Sequence, residues 1–198
     1  MNNIQKIALE PEVKNALHPF WLFSNELDKE TCKKIISFGE KNWVTARVGK
    51  SLKINKKIRI TDIAWCNEQW LFDIAWQYVN IANKNSNWNF QIDSCESMQI
   101  TRYRKGGHYN FHPDGNGFTK EISNNKFTNG KTRKLSMTIV LSEDYEGGEF
   151  EFFDDNQLIK EKIGTVIVFP SYIVHKVRPV TKGTRYSLVV WFCGEPFR

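Results

Sequence analysis

The stretch Met98–Asp114, MQITRYRKGGHYNFHPD, decides how the rest of the chain is read. It reads as two short strands joined at Gly106-Gly107 and ending in His112-Pro113-Asp114. Residues i and i+2 of a strand share a face, so His112 and Asp114 aim an imidazole and a carboxylate at one point. Such a pair is two thirds of a 2-His-1-carboxylate triad, the arrangement that holds non-haem Fe(II) with open positions. On its own, a His-x-Asp pair is also what a surface histidine beside a turn aspartate gives. The third ligand must come from elsewhere in the chain, and His175 is the candidate.

The segment that holds His175, SYIVHKVRPV, is strand-like, and a lone histidine there also fits a structural role. It gains weight from RYSLVVWF, which follows. Alternation places Arg185, Ser187, Val189 and Trp191 on one face and Tyr186, Leu188, Val190 and Phe192 on the other, apolar, face. An arginine on an inward sheet face is costly unless paired. A ligand carboxylate fits the guanidinium fork, and an internal Asp or Glu is the alternative.

From Phe90 onward the pattern is all strand, with segments near 90–93, 95–104, 108–113, 134–141, 148–153, 163–169, 172–178 and 184–193. Gly106-Gly107, Gly147-Gly148, Gly164, Pro170-Ser171 and Gly183 supply the turns. This spacing predicts an α+β, mainly β chain: a double-stranded β-helix (jelly roll) with N-terminal helices packed on one sheet. Asp28 is placed to cap a first helix that carries Cys32, Ile35 and Ile36 and ends at Gly39. Asn67 is read as opening a second helix, with Trp70, Leu71, Ile74, Ala75, Tyr78, Val79 and Ala82 on its apolar face and NKNSN at 83–87 as its end. Phe20, Trp21 and Phe23 fit an edge strand or core plug, and residues 43–48 and 58–65 fit strands flanking a polar loop. Residues 1–18 read as an arm or short helix. The chain is taken as one domain, 1–198, in which 1–89 supports a core at 90–198. The polar segment 115–132 follows the His-x-Asp pair directly and suits either a lid or a plain surface loop.

A 40% hydrophobic and 14% aromatic content is ample for a core. No stretch approaches the ~18 apolar residues that span a bilayer. The polar N-terminus lacks an apolar signal core, which points to a cytoplasmic protein. Cys32, Cys66, Cys95 and Cys193 are too scattered for a zinc site or disulfide framework. The charge of +6 and pI near 9.1 are compatible with a nucleic-acid or acidic partner, although the scatter of the basic residues favours a plain solvated basic surface.

Taken together, His112-x-Asp114, His175 and Arg185 ten residues beyond it resemble the iron- and 2-oxoglutarate-dependent dioxygenases. Tyr103-x-x-Gly106-x-x-Tyr109-x-x-His112-x-Asp114, Gly147-Gly148-Glu149-Phe150 and Gly164-Thr-Val-Ile-Val-Phe169-Pro170 are similar to the prolyl 4-hydroxylase branch. Residues Arg59 to Trp65 resemble the Arg-to-Trp strand of the oxygen-sensing prolyl hydroxylases. The resemblance covers roughly residues 97–193 and implies Fe(II) on His112, Asp114 and His175. It further implies 2-oxoglutarate as cosubstrate on Arg185, helped by Ser187, with O2 as oxidant and ascorbate as a further candidate. Tyr103 is expected to line the cosubstrate pocket. Tyr109 and Trp191 are expected near the metal, or else as ordinary core aromatics. Val140 stands where some relatives carry a cosubstrate-touching tyrosine.

The implied reaction hydroxylates a prolyl residue of a peptide or protein and releases succinate and CO2. Arg59, Trp65 and loop 115–132 are the candidates for gripping that substrate. A hydroxylase of a free amino acid or another side chain, including the lysyl hydroxylase branch, is the alternative enzyme. A non-enzymatic jelly-roll binding module, or a zinc-binding protein, is the alternative class. Nucleic acid is disfavoured as a partner, because Trp191 stands where the demethylase pattern has a second arginine. No membrane partner is implied.

Overall fold

The computed structural model describes residues 18–47, 54–120, 126, 128–153, 158–159 and 162–198. Residues 1–17, most of the loop predicted between the 43–48 and 58–65 strands, and residues 121–125 and 127 of the 115–132 segment lie outside that set. The N-terminal arm, five of the nine loop residues at 49–57 and six of the 18 residues at 115–132 therefore receive no structural account.

Two antiparallel sheets face one another. The larger is built on β14 (Val180–Gly194), the longest strand, which pairs with β6 (Met98–Arg104) on one side and β8 (Thr132–Val140) on the other. Beyond β8 come β12 (Val166–Pro170) and the edge strand β1 (Trp21–Phe23). Beyond β6 come β4 (Asp62–Cys66) and β2 (Val44–Thr45). The smaller sheet runs β11 (Leu158–Ile159), β10 (Phe150–Phe152), β13 (His175–Val177), β7 (His108–His112), β3 (Arg59–Ile60). Short strands β5 (Ser94–Cys95) and β9 (Tyr145–Gly147) pair with β14 off the main path. This is the jelly roll that the strand spacing predicts.

Helices α1 (Lys29–Gly39) and α2 (Gln69–Asn85) pack chiefly against strands of the larger sheet. Cys32, Ile35, Leu71 and Val79 bury against Met98, Ile100, Leu188, Val190 and Phe192. The apolar face of β14 thus meets the helices, and its other face is left for the space between the sheets. Each such side chain, fully buried, contributes about 1.5–3 kcal/mol. A second cluster, including Tyr103, Phe150, Phe152, Phe169 and Val177, fills part of that space.

Several boundaries differ from the sequence reading. Asp28 caps α1 as predicted, with its Oδ1 accepting from the Thr31 N–H at 2.7 Å. Gly39 is the last helical residue and Glu40 the cap. Glycine is needed at 39 because a Cβ there meets the Trp43 ring at 2.6 Å. Helix α2 opens after Glu68 rather than at Asn67. Residues 90–93 form no strand. The Asn83 side chain instead bonds both backbone groups of Phe90, and the Asp93 N–H reaches the Cys193 carbonyl. Gly183, read as a turn, lies inside β14 at φ +71°, where the strand passes from β9 to β6. Among the described residues no helix is long and apolar enough to cross a membrane.

Gly106 and Gly164 separate backbone strain from steric exclusion. Both have positive φ, but a Cβ on Gly106 meets nothing within 4 Å, while one on Gly164 lies 2.0 Å from the Leu27 carbonyl oxygen. In denaturant unfolding, Gly106→Ala should cost about 1–2 kcal/mol, the left-handed penalty alone. Gly164→Ala should cost at least about 3 kcal/mol, since the backbone bonds from Glu26 and Leu27 to the Gly164 carbonyl must also yield.

Candidate active site

His112 and His175 are cross-strand partners on β7 and β13, so the pleat sends both imidazoles to one face, with ring centroids 4.4 Å apart. Asp114 joins them by a different route from the one its spacing suggested. Strand β7 ends at His112, and the chain then bends. The N–H groups of Asp114 and Gly115 both donate to the Ser171 carbonyl, at 2.9 and 3.0 Å. That tie carries the carboxylate to within 3.7 Å of Nε2 on each histidine, one oxygen to each.

A bulge completes the arrangement. Between Val177 and His175 the partner strand advances three residues, from Tyr109 to His112. The extra residue puts Tyr109 and His112, which an even strand would separate, on one face. The Tyr109 ring consequently stacks on His112 at 3.4 Å. Phe150 and Phe169 pack on His175 at 5.1 and 4.7 Å and fix its plane.

The electrostatics favour a cation. His112 Nδ1 lies 2.7 Å from the Asn110 carbonyl and His175 Nδ1 lies 3.0 Å from that of Ile173. A carbonyl only accepts, so each Nδ1 carries a proton and each Nε2 is the ring nitrogen turned toward Asp114. Burial and the adjacent His175 push His112 down to about 4, against the pull of Asp114. Burial alone would raise Asp114, yet His175, His112, the Arg133 guanidinium and a bond from Ser136 hold it below the usual carboxylate value. Gaps of 3.7 Å are too long for hydrogen bonds and within reach of two metal–ligand bonds of about 2.1 Å each. The ligand atoms of all three residues lie within 4.8 Å of one another. The donor set therefore fits a divalent ion.

All ten residues singled out in the sequence line a single cavity of about 870 Å³. Arg185 is 1% exposed, and its Nη1 donates to Ser187 Oγ at 2.9 Å. Ser187 Oγ lies in turn 2.6 Å from Thr101 Oγ1. Tyr103 stands directly opposite Arg185 on β6. The indole Nε1 of Trp191 is buried with no hydrogen-bond partner, a donor open to a ligand acceptor. Arg59 lies over Tyr109 at 4.5 Å and donates to Gln99 at 2.9 Å, and Trp65 is half exposed at the cavity mouth. Val140, opposite Ser187, is buried and does not line the cavity.

Sequence reasoning passed over the residues that brace this group. Arg133 clamps both Glu96 oxygens at 2.6 and 2.7 Å, donates to the Asp114 carbonyl at 3.2 Å and covers the Trp191 ring at 3.9 Å. Ser136 bonds to Ser171 at 2.9 Å as well as to Asp114. In the sequence, Arg133 sat in a basic run read as solvated, just outside the strand predicted at 134–141. Extending that strand by two residues would have put it on the same face as Leu135 and raised the question of its partner.

Residues 98–193 match the family model of the 2OG-Fe(II) oxygenase superfamily. A PKHD-type hydroxylase of Janthinobacterium sp. (strain Marseille) is 40% identical over 96 residues, 46% of this chain and 41% of the relative. Another, from a Picosynechococcus strain, is 38% identical over 102 residues, 50% of this chain and 42% of the relative. The matched part of the chain thus spans about two fifths of the length of these curated relatives. Among solved structures, the viral collagen prolyl hydroxylase of Paramecium Bursaria Chlorella virus-1 with 2OG is similar at a TM-score of 0.66 and 20% identity, covering 89% of this chain and 97% of that one. A prolyl hydroxylase of Trichoplax adhaerens, in complex with a hypoxia inducible factor oxygen degradation domain peptide fragment, aligns at 0.69 and 17%, covering 91% and 86%. At these identities the structural likeness speaks for the fold alone.

A divalent ion at 100 times its dissociation constant should stabilise the folded protein by about 2.7 kcal/mol. Thermal unfolding with and without Mn(II) should show that upward shift in Tm, and Asp114→Ala or His175→Ala should abolish it.

Proposed function

Because residues 98–193 match the family model of the 2OG-Fe(II) oxygenase superfamily, we propose that the chain is an Fe(II)- and 2-oxoglutarate-dependent dioxygenase. It hydroxylates a prolyl residue of a peptide or protein and releases succinate and CO2. The observation that carries this reading is the His112–Asp114–His175 trio, set in one cavity with a buried arginine on the opposite sheet.

Fe(II) with 2-oxoglutarate and O2 would supply the oxidative cleavage and C–H hydroxylation that no side chain here can perform. The side chains hold, orient and shelter. His112 Nε2, His175 Nε2 and the Asp114 carboxylate would hold the ion. The Asn110 and Ile173 carbonyls fix both imidazole tautomers, and Ser136 and Arg133 keep Asp114 ionised and in place. Arg185 takes the distal carboxylate of 2-oxoglutarate, its fork braced by Ser187 and Thr101. Tyr103 walls that end. Tyr109 and Trp191 exclude water around the ion. Arg59 and Trp65, at the mouth, grip the substrate. The peptide-bound Trichoplax neighbour supports a peptide occupant.

The test is succinate formation from 2-oxoglutarate by purified protein with Fe(II), ascorbate and O2, with and without proline-rich peptides. Turnover that disappears in Asp114→Ala supports the reading, and stimulation by one peptide identifies its substrate. No turnover together with no 2-oxoglutarate binding by calorimetry refutes it and favours a binding module. Arg185→Ala should raise the 2-oxoglutarate requirement roughly 30- to 1000-fold, the loss expected for a desolvated charge pair, while the Mn(II)-induced rise in Tm persists.

A further inference from the structure

The cavity mouth lies between the free edges of the two sheets, β2 on one side and β3 on the other. Its charges are unbalanced. Among the described residues Asp114 is the sole acidic residue on the cavity wall, against Arg47, Arg59, Arg133 and Arg185. Arg133 is matched by Glu96, and Asp114 and Arg185 face the proposed ion and cosubstrate. Arg47 and Arg59 remain, and neither pairs with a carboxylate among the described residues. Arg59 has an amide and an aromatic face as partners, and its Nε is buried with no acceptor. Lys56 and Lys57 are exposed on the turn that leads into β3. The sequence bears out the same segregation: between Lys41 and Thr61, seven of 21 positions are Lys or Arg and none is Asp or Glu.

Exposed apolar side chains are interspersed with these cations. Val44 and Ile54 are each 54% exposed and Trp65 is 48% exposed, all on the cavity wall. A phosphate chain would neutralise the arginines and leave Val44 and Ile54 uncovered. A peptide with acidic and apolar residues satisfies both.

Resting on the reading of the site as a peptide hydroxylase, we propose that the mouth selects an acidic segment. Carboxylates flanking the hydroxylated residue pair with Arg59 and Arg47, and apolar side chains of the same segment cover Val44, Ile54 and Trp65. Charge complementarity of this kind sets partner choice and encounter rate more than raw affinity.

The test uses three matched peptides with a central proline flanked by Asp, Gln or Lys. Binding is followed by anisotropy on the Mn(II)- and 2-oxoglutarate-loaded protein without O2, and turnover by succinate release with Fe(II) in air. The Asp peptide should bind about tenfold more tightly than the Gln peptide, as two partly screened ion pairs allow, and the gap should close with added salt. Arg47→Glu should shift the preference toward the Lys peptide, and Arg47→Gln should erase about half of the logarithmic gap. Equal affinity of the wild-type protein for all three peptides at low salt overturns acidic selection, and peptide-free succinate formation in that sample shows the dioxygenase reading to stand without it. Tighter binding of a single-stranded oligonucleotide than of the Asp peptide overturns the proposal in favour of nucleic acid. Absence of both 2-oxoglutarate binding and succinate formation removes the reading and this inference with it.

Discussion

The Ser171 carbonyl accepts two N–H groups, from Asp114 and Gly115, and through them joins the end of β7 in one sheet to the end of β12 in the other. The tie is local, but the trio depends on it. His112 and His175 are already fixed as cross-strand neighbours within the smaller sheet, and only the carboxylate has to be brought in from outside the ladder. Ser171 is itself anchored, its N–H on the Lys134 carbonyl and its hydroxyl on Ser136. Arg133 then locks the Asp114 carbonyl from the same strand. The larger sheet in this way fixes a group that the smaller sheet presents.

Charge is distributed within the cavity with similar economy. One end gathers lone pairs around a carboxylate, which suits a cation. The other buries a guanidinium among hydroxyls, which suits an anion. A ligand with two carboxylate-bearing ends, one chelating and one ionic, meets both demands at once.

Much of this was legible in the chain because a strand's period is unambiguous. The alternation in RYSLVVWF separates core face from cavity face, and the structure keeps that division residue by residue. The His-x-Asp spacing pointed to the right meeting, although β7 ends before Asp114 and a backbone tie does the work expected of the pleat. The bulge that sets Tyr109 on His112 left no local sign, because one extra residue in a ladder shows only against its partner strand. The Arg133–Glu96 clamp joins residues 37 apart and was hidden for the same reason: contact between distant segments is a property of register, which no single segment carries. Helix ends were misplaced by one or two residues where a cap lacked a side-chain bond, as at Glu68.

The division of labour along β14 bears on how such a chain can diversify. Its odd positions from Arg185 to Trp191 touch the cavity, and its even positions from Tyr186 to Phe192 touch the helices. Cavity wall and packing are written in alternate letters of one strand. A lineage can therefore exchange cavity-wall residues at 185, 187, 189 and 191 while the residues that hold the helices stay constant. The fold can acquire new specificity there without first becoming unstable.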